Sequence, residues 1–309
     1  MKKEMLKIAA SVLTASLLFT GLPAQIVDQK ASVETVCAAV AKPTNVKLSV
    51  KRVSSSKVKV SASWSGSAPA YMFELYYEDG YGGHGSAGGV QYDTSFSYTF
   101  KHPEGEMRTY GIKVKGIAGN DGPYSAQVKK TKNFMNTGTY TKKIKNLVKS
   151  NTSGMSDYEK VRFAHDWLIK NVDYDQTYDM EKSTTLAGTM KYKKAVCQGY
   201  SIAFGVFMKE MKIPSKYVVS TNGDHMWNLV KLGGKWYHVD VTWDDPMGME
   251  SVTIDHPIYD YFLQSTGNFQ AKDPSADHIF KTKSVPTANS TIYDNPGSTD
   301  NYYEAVPGD

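Results

Sequence analysis

Residues 225–243, HMWNLVKLGGKWYHVDVTW, decide how the second half of this 309-residue chain folds. Gly233 and Gly234 join two apolar-rich runs, the pattern of a tight hairpin whose two-residue loop sets the register. With the glycines as the loop, opposed residues sum to 467, so Asp240 faces Trp227 and His225 faces Thr242. Side chains alternate between faces along a strand, which puts Asp240 and Thr242 on one face with His225 as a diagonal neighbour of Asp240. A slip of one residue would separate the imidazole from the carboxylate. In this register the two groups meet, and such a pair can orient and activate a thiol.

The thiol is Cys197, in AVCQGYSIAF. Beyond it, Tyr200, Ala203, Phe204, Phe207 and Met211 recur at helical spacing and stop before Pro214, so Cys197 belongs at a helix N-terminus. The free amides and positive dipole end there favour a thiolate and offer donors to an oxyanion. A lone cysteine is usually a buried structural one; the His/Asp hairpin is what sets this one apart. His238 shares the face of Asp240 and is a rival base, but it lies deeper, opposite Leu229, as a core histidine would. His225 follows the turn-forming run 221–224, so it stands at the open end of the sheet. Trp227, Trp236 and Trp243 read as core, Asp244 and Asp245 before Pro246 as a solvated turn, and His165 as a structural residue of an amphipathic helix. A zinc site from Cys197, His225 and Asp240 has neither a second cysteine nor an HExxH spacing behind it.

These segments, with YDYFLQS further on, resemble the bacterial transglutaminase-like (transglutaminase/protease-like) superfamily from about Ser156 to His278. The resemblance implies a papain-like α+β core with Cys197 as nucleophile, His225 as base and Asp240 as its orienting acid. It also implies acyl transfer on peptide or protein amides without a cofactor, to water in a protease or amidase or to a second amine in a transglutaminase; for a short two-domain form it favours water. Met226 stands where the family commonly has a smaller residue. Tyr192 is an oxyanion-donor candidate on position alone. The alternative is an adhesion or cell-wall-binding module with a vestigial triad.

The first half of the chain reads differently. Between residues 42 and 132, short strand-like runs such as KVKVSASW, AYMFELYYE and YGIKVKGIA alternate with turns rich in Gly, Pro and Ser, the pattern of a β-sandwich. WSGSAPAYMFELYY and RTYGIKVKGIAGNDGPYS resemble a fibronectin type III domain, with Trp64 as core tryptophan and Tyr110 as corner tyrosine. YGGHGSAGG, residues 81–89, reads as a connection, without the Lys-Ser/Thr context of a phosphate loop. The catalytic segment is then 133–282, opened by a capping box from Ser156 to Glu159. Residues 283–309, polar with three prolines, read as a mobile tail.

Lys2, Lys3 and Lys7 precede the apolar run IAASVLTASLLF, the layout of a secretory signal within a leader of residues 1–39, too short to span a membrane. Cys37 lacks a lipoprotein-like context, and cleavage at or beyond Ala38 leaves Cys197 as the single thiol. The expected location is therefore extracellular. A net charge of +5 suits contact with an anionic cell wall or surface, whereas no basic-aromatic motif points to nucleic acid.

Overall fold

The computed structural model describes residues 40–118, 123–246, 258–273, 275–281 and 285–294; the expected leader, with Cys37, lies outside them. Among the described residues seven strands come first: β1 (Thr44–Ser54), β2 (Lys57–Ser65), β3 (Ala70–Asp79), β4 (His84–Gln91), β5 (Ser95–Lys101), β6 (Met107–Ile117) and β7 (Val128–Met135). They form two antiparallel sheets, β1-β2-β5 and β4-β3-β6-β7, which make the expected β-sandwich. Alternate residues of both sheets fill its core, among them Val58, Val60, Leu75, Ile112 and Val114. Trp64 packs there against Tyr71 and Phe73. Tyr110 is fully buried, and its hydroxyl donates to His102 Nδ1 at 2.9 Å, a side-chain partner where a corner tyrosine ordinarily finds backbone. His102 Nε2 in turn donates to Glu106 O, so the ring is held neutral; burial pushes it down to about 4.

The glycine-rich run read as a connection is mostly strand. His84–Gln91 pairs with β3 over its whole length. The glycines permit the close approach: a Cβ on Gly88 would lie 2.2 Å from Phe73 O, and one on Gly85 would lie 2.6 Å from the Tyr77 ring. Low strand propensity is thus overruled by the space the neighbouring strand leaves.

The second part contains α1 (Thr139–Asn151), α2 (Asp157–Asn171), β8 (Asp173–Tyr174), α3 (Met180–Ser183), a π-helical turn (Gly188–Tyr192), β9 (Lys194–Ala195), α4 (Cys197–Glu210), β10 (Ser215–Val219), β11 (Met226–Leu232), β12 (Lys235–Val239), β13 (Phe262–Gln264) and α5 (Thr266–Ala271). Ser156 caps α2 as expected, in a reciprocal box with Glu159. β10 to β13 form one antiparallel sheet in chain order. Buried α4 covers one face of it, where Phe204 and Phe207 share a core with Met226, Val230 and Val239. Trp227, Leu229, Phe269 and Phe280 fill the other face. The fold is therefore α+β, a sandwich followed by a helix-on-sheet core.

The segment from 285 to 294, expected to be mobile, is docked instead. Ala288 is buried and its carbonyl accepts from Thr266 N, Tyr237 OH donates to Ser290 Oγ, and Tyr293 stacks on Tyr158. Residues 295–309 lie outside the described part.

The two halves share a tight seam. Glu104, from the β5–β6 loop, accepts from Thr141 N and Oγ1 and so caps α1. Beside it Gly105 has φ +91°, and a Cβ there would sit 2.7 Å from Leu186 Cδ2. Gly105→Ala should therefore destabilise the protein by about 2–4 kcal/mol, from combined strain and overpacking. Gly89→Ala, with open space around it, should change stability by less than about 1 kcal/mol. Denaturant unfolding of both variants measures the contrast, and equal effects would remove Gly105 from the seam.

Candidate active site

The hairpin register is the expected one. Asn228 pairs with Val239, Leu229 with His238 and Leu232 with Lys235. The ladder ends there, however: β12 stops at Val239, and Thr242 lies in a turn and does not face His225 across a strand. What brings Asp240 to His225 is that turn. Asp240 Oδ1 accepts from Thr242 N at 2.9 Å and Trp243 N at 3.2 Å, and Asp240 N donates to Tyr261 O beside β13. The other carboxylate oxygen, Oδ2, is bonded by His225 Nε2.

His225 immediately precedes β11, at the sheet end. Its ring stacks on Trp227, with centroids 5.6 Å apart and planes 20° from parallel. Nε2 is committed to Asp240, and Cys197 lies close enough for its thiol to bear on the titration of the imidazole. Cys197 is the first residue of α4, half-buried, with Sγ 3.9 Å from Asp224 O. Val196 before it is extended, so the amides of the first turn have no intrahelical acceptor. Two bonds fix the helix to the strand that carries His225: Ser201 Oγ donates to Met226 O at 2.8 Å, and Asn228 Nδ2 donates to Ser201 O at 3.2 Å. Gly199 allows the α4 N-terminus to approach Ser183 O, which would lie 2.3 Å from a Cβ. The structure therefore brings Cys197, His225 and Asp240 together.

Burial alone would favour a neutral imidazole at His225. The charge and hydrogen bond of Asp240, joined by the nearby Cys197, outweigh it and raise His225 above the ordinary histidine range. Burial would likewise favour a protonated Asp240, yet the charge of His225 and the hydrogen bonds from His225 and His278 hold it well below the usual carboxylate range. The result is an acid that stays ionised beside an imidazole that takes up a proton readily.

His238 is no rival. It is fully buried, Trp227 Nε1 donates to its Nδ1 at 2.9 Å, and its Nε2 donates to Thr266 Oγ1, so both nitrogens are occupied. Burial pushes it down to about 3. Tyr192 is exposed, with its hydroxyl taken by Lys191 Nζ.

Two readings need correction. Asp244 and Asp245 are buried and do not form a solvated turn. Asp244 accepts from His165 Nε2 at 3.1 Å and Tyr261 N at 2.9 Å, while Tyr200 OH donates to Asp245. The turn after Asp240 is thereby anchored to α2 and α4. His278, which the sequence left without a role, is fully buried and places Nε2 2.9 Å from Asp240 Oδ2. The only hint was its place in DHIF at the end of the family-like stretch. His225, Asp240 and His278 bring three potential metal-ligating atoms within 4.8 Å of one another, but both imidazoles already direct Nε2 at the carboxylate.

The His165–Asp244 pair gives a pH test. Burial opposes a charged His165, but the hydrogen bonds of Asp166 and Asp244 raise it to about 9. A histidine raised on folding contributes stability that is complete below its unfolded value of about 6.5 and is lost as pH climbs through about 9. The gap in thermal midpoint between the wild type and His165→Gln should therefore narrow between pH 6.5 and pH 9. A gap that stays constant or widens would contradict the pairing.

Several known proteins are similar to parts of this chain. Kyphoscoliosis peptidase of Mus musculus is 28% identical over a segment covering 28% of this chain, and the chain spans only 16% of that protein's length. A TGase crystal structure is similar at 23% identity and a TM-score of 0.30, covering 33% of this chain and 32% of that one. The fn3 domain of human collagen alpha-1(XX) chain is similar at 18% identity and a TM-score of 0.24, covering 34% of this chain and 94% of that one. Residues 145–241, from within α1 to just past Asp240, match the family model described as Transglutaminase-like superfamily, and over this stretch the chain carries a transglutaminase-like domain.

Proposed function

We propose that the protein is a secreted, cysteine-dependent acyl-transfer enzyme acting on peptide or protein amides. The observation that carries the reading is the line from the thiol at the α4 N-terminus through His225 to buried Asp240. In the first step Cys197 Sγ gives its proton to His225 Nδ1 and attacks the amide carbonyl, forming a C–S bond. The first-turn amides of α4 are placed to receive the oxyanion. The tetrahedral adduct then collapses with loss of the C–N bond, and the imidazolium returns the proton to the departing amine. That leaves a thioester on Cys197. Water or a second amine then gives its proton to His225, attacks the thioester and frees the thiol.

Hydrolysis is the outcome we favour. Its support is the resemblance of the catalytic segment and the name of the mouse relative, a peptidase. The secretory-like layout of residues 1–39 supports an extracellular location, and the basic net charge supports work at an anionic cell surface.

Mass spectrometry of candidate peptides, incubated with and without a primary amine, tests the proposal. Cleaved peptide should appear under both conditions and vanish with Cys197→Ala. Amine incorporation without cleavage would replace hydrolysis by cross-linking, and neither product from any peptide would sink the enzyme reading. Asp240→Asn should fold yet lose roughly 10–10³-fold in rate, because Asn cannot hold His225 in its working tautomer. A fully active Asp240→Asn would overturn the assignment of the acid.

A further inference from the structure

We propose that His278 is a positioning residue of this site, holding the same carboxylate oxygen of Asp240 that His225 bonds. Asp240 Oδ2 receives two imidazole Nε2 groups, from His225 and, at 2.9 Å, from His278. The two rings meet nearly edge to face, with centroids 5.2 Å apart and an interplanar angle of 80°. His278 has no freedom to leave. Its ring contacts Trp227, Trp243, Tyr261 and Phe269, the last at 4.3 Å between centroids. Its backbone N–H donates to Asp273 Oδ2 at 2.7 Å, and Gln270 Nε2 donates to its carbonyl. Nδ1 lies 3.3 Å from Asp273 Oδ2 without hydrogen-bond alignment.

The consequence is mechanical. The backbone donors of the turn fix Oδ1, but a carboxylate pinned at one oxygen can still rotate. A rigid N–H at Oδ2 removes that rotation and keeps the second oxygen aimed at His225. The charged and titratable groups around His278 are Asp240 just after β12, Asp273 after α5, His225 before β11, Tyr261 before β13 and His238 within β12. Asp240 and His225 belong to the machinery proposed above, so this inference rests on that reading.

The test separates the two. In a Cys197→Ala background, the His225 ring is titrated by long-range ¹H–¹⁵N NMR with His278 intact and with His278→Gln, His278→Asn and His278→Phe. Gln carries an amide N–H about as far out as Nε2, whereas Asn is too short to reach Asp240 and Phe has no N–H to donate. With Asn or Phe, the His225 midpoint should fall by a unit or more towards the ordinary value of about 6.5, and with Gln it should stay close to that of the parent. An unchanged or higher midpoint in a folded Asn or Phe variant would overturn the role, as would Gln behaving like Phe. In the Cys197 enzyme, Asn and Phe should reduce kcat by roughly 10–100-fold with little change in KM, and Gln should restore most of the loss. A parent without turnover that still shows the midpoint shift would sink the enzyme reading and leave the positioning role standing.

Discussion

A carboxylate with almost no access to water, Asp240, is the constraint around which the second half of the molecule is organised. An ionised acid in such a place is tolerable only when every lone pair is engaged. Four donors do this: two turn amides on one oxygen and two imidazoles on the other. The donors come from the strand end at His225, the turn at 242–243 and the segment after α5. Satisfying one buried charge thus draws together three stretches that are distant in sequence, and the imidazole on the open side is left facing the thiol.

The surrounding packing keeps that arrangement in place. The turn beyond Asp240 is itself anchored by two further acids, Asp244 to His165 on α2 and Asp245 to Tyr200 on α4. Because α4 also carries Cys197, the carboxylate and the thiol are referenced to the same helix. The β-sandwich meets this frame through Glu104, which bonds Thr141 on α1, and Gly105, whose neighbours Leu186 and Ile202 lie in the core of the second half. Tyr217 of β10 adds an aromatic contact with Tyr81, so the seam reaches the sheet as well as the helix.

The parts legible in the sequence were those governed by local periodicity and turn chemistry. Gly-Gly gave the hairpin register, the spacing from Tyr200 to Met211 gave α4, and Ser156 with Glu159 gave the start of α2. What escaped reading depended on burial or distant partners. Asp244 and Asp245 before a proline have the composition of a solvated turn, and only the folded chain reveals His165 and Tyr200 waiting for them. Gly85 and Gly88 resemble loop residues until a neighbouring strand is seen to need their missing side chains. His278 and the docked 285–294 segment follow the same rule, since no spacing announces which site a late segment will pack against.

The central claim, that Cys197 is the nucleophile the buried pair serves, is tested most directly by trapping the acyl-enzyme. The protein is treated with an activated peptide ester, quenched in acid and analysed as intact mass, followed by peptide mapping. One acyl group per molecule, located on Cys197 and absent from Cys197→Ala, is the predicted result. An acyl group on another residue, or ester turnover undiminished in Cys197→Ala, would contradict it.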